Sequence, residues 1–110
     1  MGPIFITVEQ RFKAAIFAMG GPYLVRALPE VDAINFAPRI RTPVLELDGR
    51  FDFFCPVDTA QIPMFHLYGV PDADKRRVEF ETGHNIPRPE LIRETLNWLD
   101  RYLGPPEGSR

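Results

Sequence analysis

Three short apolar runs, each closed by glycine, constrain this chain more than any other feature. They are "KAAIFAMGG" at 13–21, "PVLELDG" at 43–49 and "RRVEFETG" at 76–83. Each has the length of a strand rather than a helix, and the continuous apolar character of the first suits a strand covered on both faces. The 12 prolines and 8 glycines rule out long uninterrupted elements, so the fold must be assembled from short pieces. Between the second and third runs lies "VDTAQIPMFHLYGV", in which Asp58 and Gln61 have the spacing of a capping box and Gly69 reads as a helix stop. Pro63 divides that stretch into a short turn and a helix that begins near the proline.

The strongest helical signal is "PELIRETLNWLDRYLGPP". Pro89 suits a first turn, Glu90 favours the positive end of the helix dipole, and Ile92, Leu96, Leu99 and Leu103 align as an apolar stripe. Gly104 and Pro105 end it. Segment 22–42 has no sustained period and reads as a connection with at most a short helix, and "PPEGSR" at 105–110 reads as a disordered tail. Strand, connection, strand, helix, strand, helix is the rhythm of an α/β protein. The sequence therefore predicts three parallel strands flanked by helices, ending in a C-terminal helix, in one unit over residues 1–104.

Composition narrows the function. With 110 residues the chain is one domain or less, and a formal net charge of -2 gives no electrostatic reason to expect nucleic acid or an anionic membrane as a partner. The lone cysteine, Cys55, cannot form an internal disulfide. Residues 1–8 lack the basic region and long apolar run of a signal peptide, and no segment approaches the roughly 20 apolar residues of a membrane span. A cytoplasmic, soluble chain is expected. His66 and His84 lack metal-site spacing with nearby acids, and the aspartates of "LDGRFD" lack the phosphate cradle of a phosphotransferase loop. Neither a metal nor another cofactor is expected.

In a parallel sheet, functional groups gather on loops at the carboxyl ends of the strands. His84, in "FETGHNIPRP", lies on the loop after the third run, and Asp52 lies on the loop after the second, beyond "LDGR". Parallel strands would bring both side chains to one edge. A carboxylate beside an imidazole fixes its tautomer and stabilises the imidazolium formed when it takes a proton, as a general base requires. Glu46, Asp48 and Asp58 are competing acids, Asp58 being better explained as a helix cap. The member still missing is a nucleophile.

The stretches "PRIRTPVLELDGRFDFFCPVD", "KRRVEFETGHNIP" and "ELIRETLNWLDRYLG" resemble the C-terminal third of an α/β-hydrolase of the dienelactone hydrolase and prolyl-oligopeptidase-like kind. "MGPIFITVEQRFKAAIFAMGG" is similar to the end of that fold's nucleophile helix followed by its next strand. The resemblance covers Gly2 to Gly104 and implies a partial α/β-hydrolase fold that acts on a small ester or peptide. It implies Asp52 as triad acid and His84 as base, in a chain order of nucleophile, acid, histidine. The family's nucleophile stands on a Gly-x-Ser-x-Gly elbow, and no such motif occurs in this sequence. Its oxyanion hole would precede Met1, which itself falls inside what resembles a helix and so favours a truncated chain.

The only serine, Ser109, lies in the ragged tail. Cys55 sits on the acid loop between Phe54 and Pro56 rather than on an elbow, and reads as a core residue. His66 reads as a surface or interface residue. Phe51, Phe53 and Phe54 flank the acid and would line either an acyl pocket or a core. With no nucleophile, the isolated chain is expected to be inactive. An alternative is a non-catalytic module: the first strand, Ala14 to Met19, is an apolar edge without internal Lys or Pro, suited to pairing with a second copy as a homo-oligomer.

Overall fold

The computed structural model describes residues 2–18 and 28–104. In chain order it contains helix α1 (Gly2–Val8), strand β1 (Ala15–Ala18), strand β2 (Val44–Gly49), helix α2 (Ile62–Leu67), strand β3 (Lys75–Phe80) and helix α3 (Arg88–Leu103). Short 3₁₀ turns at Ala33–Asn35, Ala37–Arg39 and Asp72–Asp74 and a wide turn at Val57–Gln61 fill the connections. The strands form one parallel sheet in the order β1, β2, β3, with Ala15 to Ala18 opposite Val44 to Leu47 and Val44 to Gly49 opposite Lys75 to Phe80. The expected three-strand α/β architecture is thus the one observed. Residues 19–21 of the first apolar run and the tail at 105–110, Ser109 included, lie outside the described residues.

Burial on both faces holds for β2 alone. All six of its residues are buried, whereas β1 buries only Ala15 fully and β3 buries none of its residues fully. The reason is position: β2 is central, and β1 and β3 are the two edges of the described sheet. On one face Val44 packs with Ile6 of α1, Ala15, Ile40, Met64 and Tyr68. On the other face Leu45 and Leu47 pack beneath Trp98, flanked by Ile16, Val78 and Phe80. Burying each of those leucines contributes about 2 kcal/mol of transfer free energy.

Helix α3 turns a different face inward from the one the stripe indicates. Leu91, Glu94, Trp98 and Tyr102 face the sheet, while Ile92, Leu96 and Leu103 are 49%, 55% and 56% exposed. Two apolar faces compete on this helix, and the one holding the Trp98 and Tyr102 rings, 4.8 Å apart, offers more area to bury. One smaller expectation also fails. No side-chain cap is made at the start of the 57–61 turn or of α2, so Asp58 and Gln61 do not form a capping box. Helix α2 does end just ahead of Gly69, with Leu67 its last residue and Tyr68 its C-cap; a Cβ on Gly69 would lie 2.0 Å from the Pro38 carbonyl oxygen, so glycine is also required there for close backbone approach.

The face of the sheet beneath α2 carries an unexpected polar layer. Glu46 and Asp48 are fully buried, with Arg77 of β3 beside them: Arg77 Nε donates to Asp48 Oδ2 at 3.1 Å, and the Tyr68 hydroxyl donates to Glu46 Oε1 at 2.6 Å. Burial above all, and then the Asp48 charge and a hydrogen bond shared with Asp48, push the Glu46 carboxyl up to about 9. Its Oε2 receives no hydrogen bond that would favour the charged form. Burial and the same acids also raise the Tyr68 hydroxyl.

Folded Glu46 therefore keeps its proton to about pH 9, while the unfolded carboxyl loses it near 4.5. Between those limits the folded state binds more protons, so this group makes stability fall as pH rises. Urea unfolding should show that decline in the native protein and a flatter profile in Glu46→Gln. Equal slopes in the two proteins would contradict a neutral Glu46.

Candidate active site

The site is built where β2 and β3 end. Beyond Gly49 the chain turns sharply, and Asp52 faces inward with 2% exposure. Its Oδ1 accepts the amide N–H groups of Phe54 at 2.9 Å and Cys55 at 3.1 Å, an Asx turn that fixes the carboxylate relative to its own backbone. The other oxygen, Oδ2, is thereby aimed outward and lies 2.6 Å from His84 Nδ1.

The histidine loop is tied to the acid loop by backbone. Arg50 N–H donates to the Phe80 carbonyl at 2.8 Å and Phe51 N–H to the Thr82 carbonyl at 2.9 Å. This close crossing needs a glycine on the acid side: a Cβ on Gly49 would stand 1.8 Å from the Gly83 carbonyl oxygen and 2.6 Å from that of Thr82. Gly49 is therefore more than a strand terminator, because it lets the two loops lie close enough for their side chains to meet.

Asp52 and His84, the residues the sequence singles out, are thus brought together. With its proton on Nδ1, His84 donates to the carboxylate and leaves Nε2 as its basic atom; the side chain is 37% exposed, so the ring is open to solvent in part. The competing acids are elsewhere: Glu46 and Asp48 lie within the sheet against Arg77, and Asp58 is exposed in the turn before α2. Cys55 is buried, and burial followed by the charges of Asp52, Asp48 and Glu46 raises its thiol, which disfavours the thiolate a nucleophile needs. His66 is exposed on α2, its ring edge-on to Phe65.

Phe51, Phe53 and Phe54 do not enter a core; they are 63%, 74% and 52% exposed. Phe53 and Phe54 stack at 4.5 Å, and Phe54 meets the His84 ring edge-on at 5.2 Å. The imidazole therefore sits at the rim of an apolar surface. Among the described residues no group of three or more His, Cys, Asp or Glu is arranged to hold a metal, and no helix is long and apolar enough to cross a membrane.

Gln61 is a functional candidate that sequence spacing misassigned. It is fully buried, and its amide nitrogen donates to the carbonyls of Gly49 at 2.7 Å and Cys55 at 2.8 Å. Its only signal in sequence is a glutamine in an otherwise apolar stretch, since its partners are backbone atoms that no pattern marks.

Three parallel strands with flanking helices and a C-terminal helix match part of an α/β-hydrolase-type fold. The chain superposes with a TM-score of 0.74 on the native structure of a cold-adapted esterase from an Arctic intertidal metagenomic library, at 20% identity, covering 93% of this chain and 44% of that one. It superposes with a TM-score of 0.75 on TT1662 from Thermus thermophilus, at 14% identity, covering 94% of this chain and 50% of that one. The chain thus spans about half the length of these structures. No family model and no curated protein matches it.

Asp52 holds two amides as well as the imidazole, so its variants should separate those duties. Asp52→Ala leaves the Phe54 and Cys55 N–H groups without an acceptor and should cost about 2–4 kcal/mol in urea unfolding. Asp52→Asn keeps an acceptor oxygen and should cost about 1 kcal/mol. Equal losses would show that the Asx turn does not hold the loop.

Proposed function

We propose that this chain supplies the acid and general base of a serine-type hydrolase of the dienelactone hydrolase and prolyl-oligopeptidase-like kind, acting on carboxylic esters. The observation that carries the proposal is the 2.6 Å contact between a buried, turn-fixed carboxylate and a half-buried imidazole. In the complete enzyme His84 Nε2 takes the proton from a serine hydroxyl as its oxygen attacks the ester carbonyl. The imidazolium, stabilised by Asp52, then gives that proton to the departing alkoxide, and water hydrolyses the acyl-enzyme by the same relay. The serine and the oxyanion donors come from a strand–elbow–helix unit outside this sequence. The exposed phenylalanines beside His84 and the likeness to an esterase favour an ester with apolar groups over a peptide. The lone, buried Cys55 is consistent with a cytoplasmic setting.

A second reading, a non-catalytic module that self-associates through the Ala14 to Met19 edge, draws support from the place of β1 at the border of the described sheet. One experiment separates the two. In a protein joining this chain to its serine-bearing unit, a fluorophosphonate should label the serine, and His84→Ala should sharply lower labelling and cut ester hydrolysis by about 10⁶-fold. The isolated chain should remain unlabelled. Labelling of Cys55, or hydrolysis that survives His84→Ala, would overturn the proposal.

A further inference from the structure

Between Gly49 and Cys55 the chain makes the whole excursion that carries Asp52, and the side chains of that excursion do little to hold it down. Phe51, Phe53 and Phe54 are more than half exposed, so the loop cannot be anchored mainly by packing. Backbone hydrogen bonds must do most of that work, and a single side chain from another element reaches both ends of the loop. The two N–H groups of the Gln61 amide are donated to the Gly49 and Cys55 carbonyls, one on each side of residues 50–54.

The same amide is fixed from behind. Its Oε1 accepts from Arg77 Nη2, and Arg77 is itself held by Asp48 Oδ2 at 3.1 Å and Glu79 Oε1 at 3.0 Å. Donor and acceptor capacity of the glutamine are thus both used, in a fully buried position where an unmatched polar atom would be costly. Only a neutral amide fits this role: a carboxylate of the same shape could accept from Arg77 but would turn acceptor atoms toward two carbonyl oxygens.

We infer that Gln61 is a positioning residue for the Asp52–His84 pair, clamping the two ends of the acid loop and tying them through Arg77 to β2 and β3. The inference rests on the general-base reading of His84 and adds to it a residue that touches neither substrate nor imidazole. It also gives the buried Arg77–Asp48 pair a purpose, as the anchor of the clamp.

The test uses the 110-residue chain itself. Gln61→Met keeps the volume but removes both donors and the acceptor; Gln61→Glu keeps the acceptor for Arg77 and carries the test if the methionine variant does not fold. In either folded variant the β2 amides should stay protected, while the Phe54 and Cys55 amides exchange about tenfold faster. The low-field Nδ1 proton of His84 should broaden or vanish, an effect that general destabilisation with an intact loop would not produce. Asp52→Asn distinguishes the two levels of the reading. A His84 Nδ1 signal that persists in Asp52→Asn would sink the general-base assignment. A signal lost in Asp52→Asn yet intact in the Gln61 variants, with Phe54 and Cys55 exchange unchanged, would overturn the role of Gln61 alone.

Discussion

Everything at the carboxyl edge of this sheet depends on how closely two loops can cross at Gly49. The Gly83 and Thr82 carbonyls occupy the space in which a side chain on residue 49 would begin. Because glycine leaves that space to the carbonyls, the Arg50 and Phe51 amides can reach the carbonyls of Phe80 and Thr82. The acid and histidine loops thereby become one hydrogen-bonded unit. Asp52 and His84 meet at 2.6 Å as a consequence of backbone geometry, so the ordering of the pair is done during folding rather than when a reactant binds.

Below that edge, β2 performs two tasks with its two faces. Leu45 and Leu47 build an ordinary apolar core under Trp98, while Glu46 and Asp48 carry a polar layer into a fully buried position. Such a layer is a poor source of stability, since a well-packed apolar replacement is often neutral or better. Its members are nevertheless tied to one another: Tyr68 donates to a neutral Glu46, and Arg77 is shared among Asp48, Glu79 and Gln61. The layer gives the loop above it a rigid floor. Lys75 adds to this by donating to the Phe65 and Tyr68 carbonyls at the end of α2, which ties that helix to β3.

The strands and their parallel pairing were legible because apolar runs of strand length, punctuated by glycine, leave few alternatives. Asp52 and His84 were legible for a related reason, since parallel pairing places the loops after β2 and β3 side by side whatever their details. The inward face of α3 was not, because Ile92, Leu96 and Leu103 mark one apolar face and Leu91, Trp98 and Tyr102 another, and only packing decides between them. Gln61 was hidden more deeply. Its partners are carbonyl oxygens of Gly49 and Cys55, which every residue possesses, and its spacing from Asp58 imitates a cap that the chain does not make.

The central claim is that the pair is preformed, with the Nδ1 proton of His84 directed at Asp52 and Nε2 left basic. Ring-nitrogen resonances of His84 in the ¹⁵N-labelled chain, at a pH where imidazole is neutral, test it most directly. A preformed pair has a protonated Nδ1 bearing a low-field proton and an unprotonated Nε2. A ring protonated at Nε2, or one averaging between tautomers as free histidine does, would contradict it.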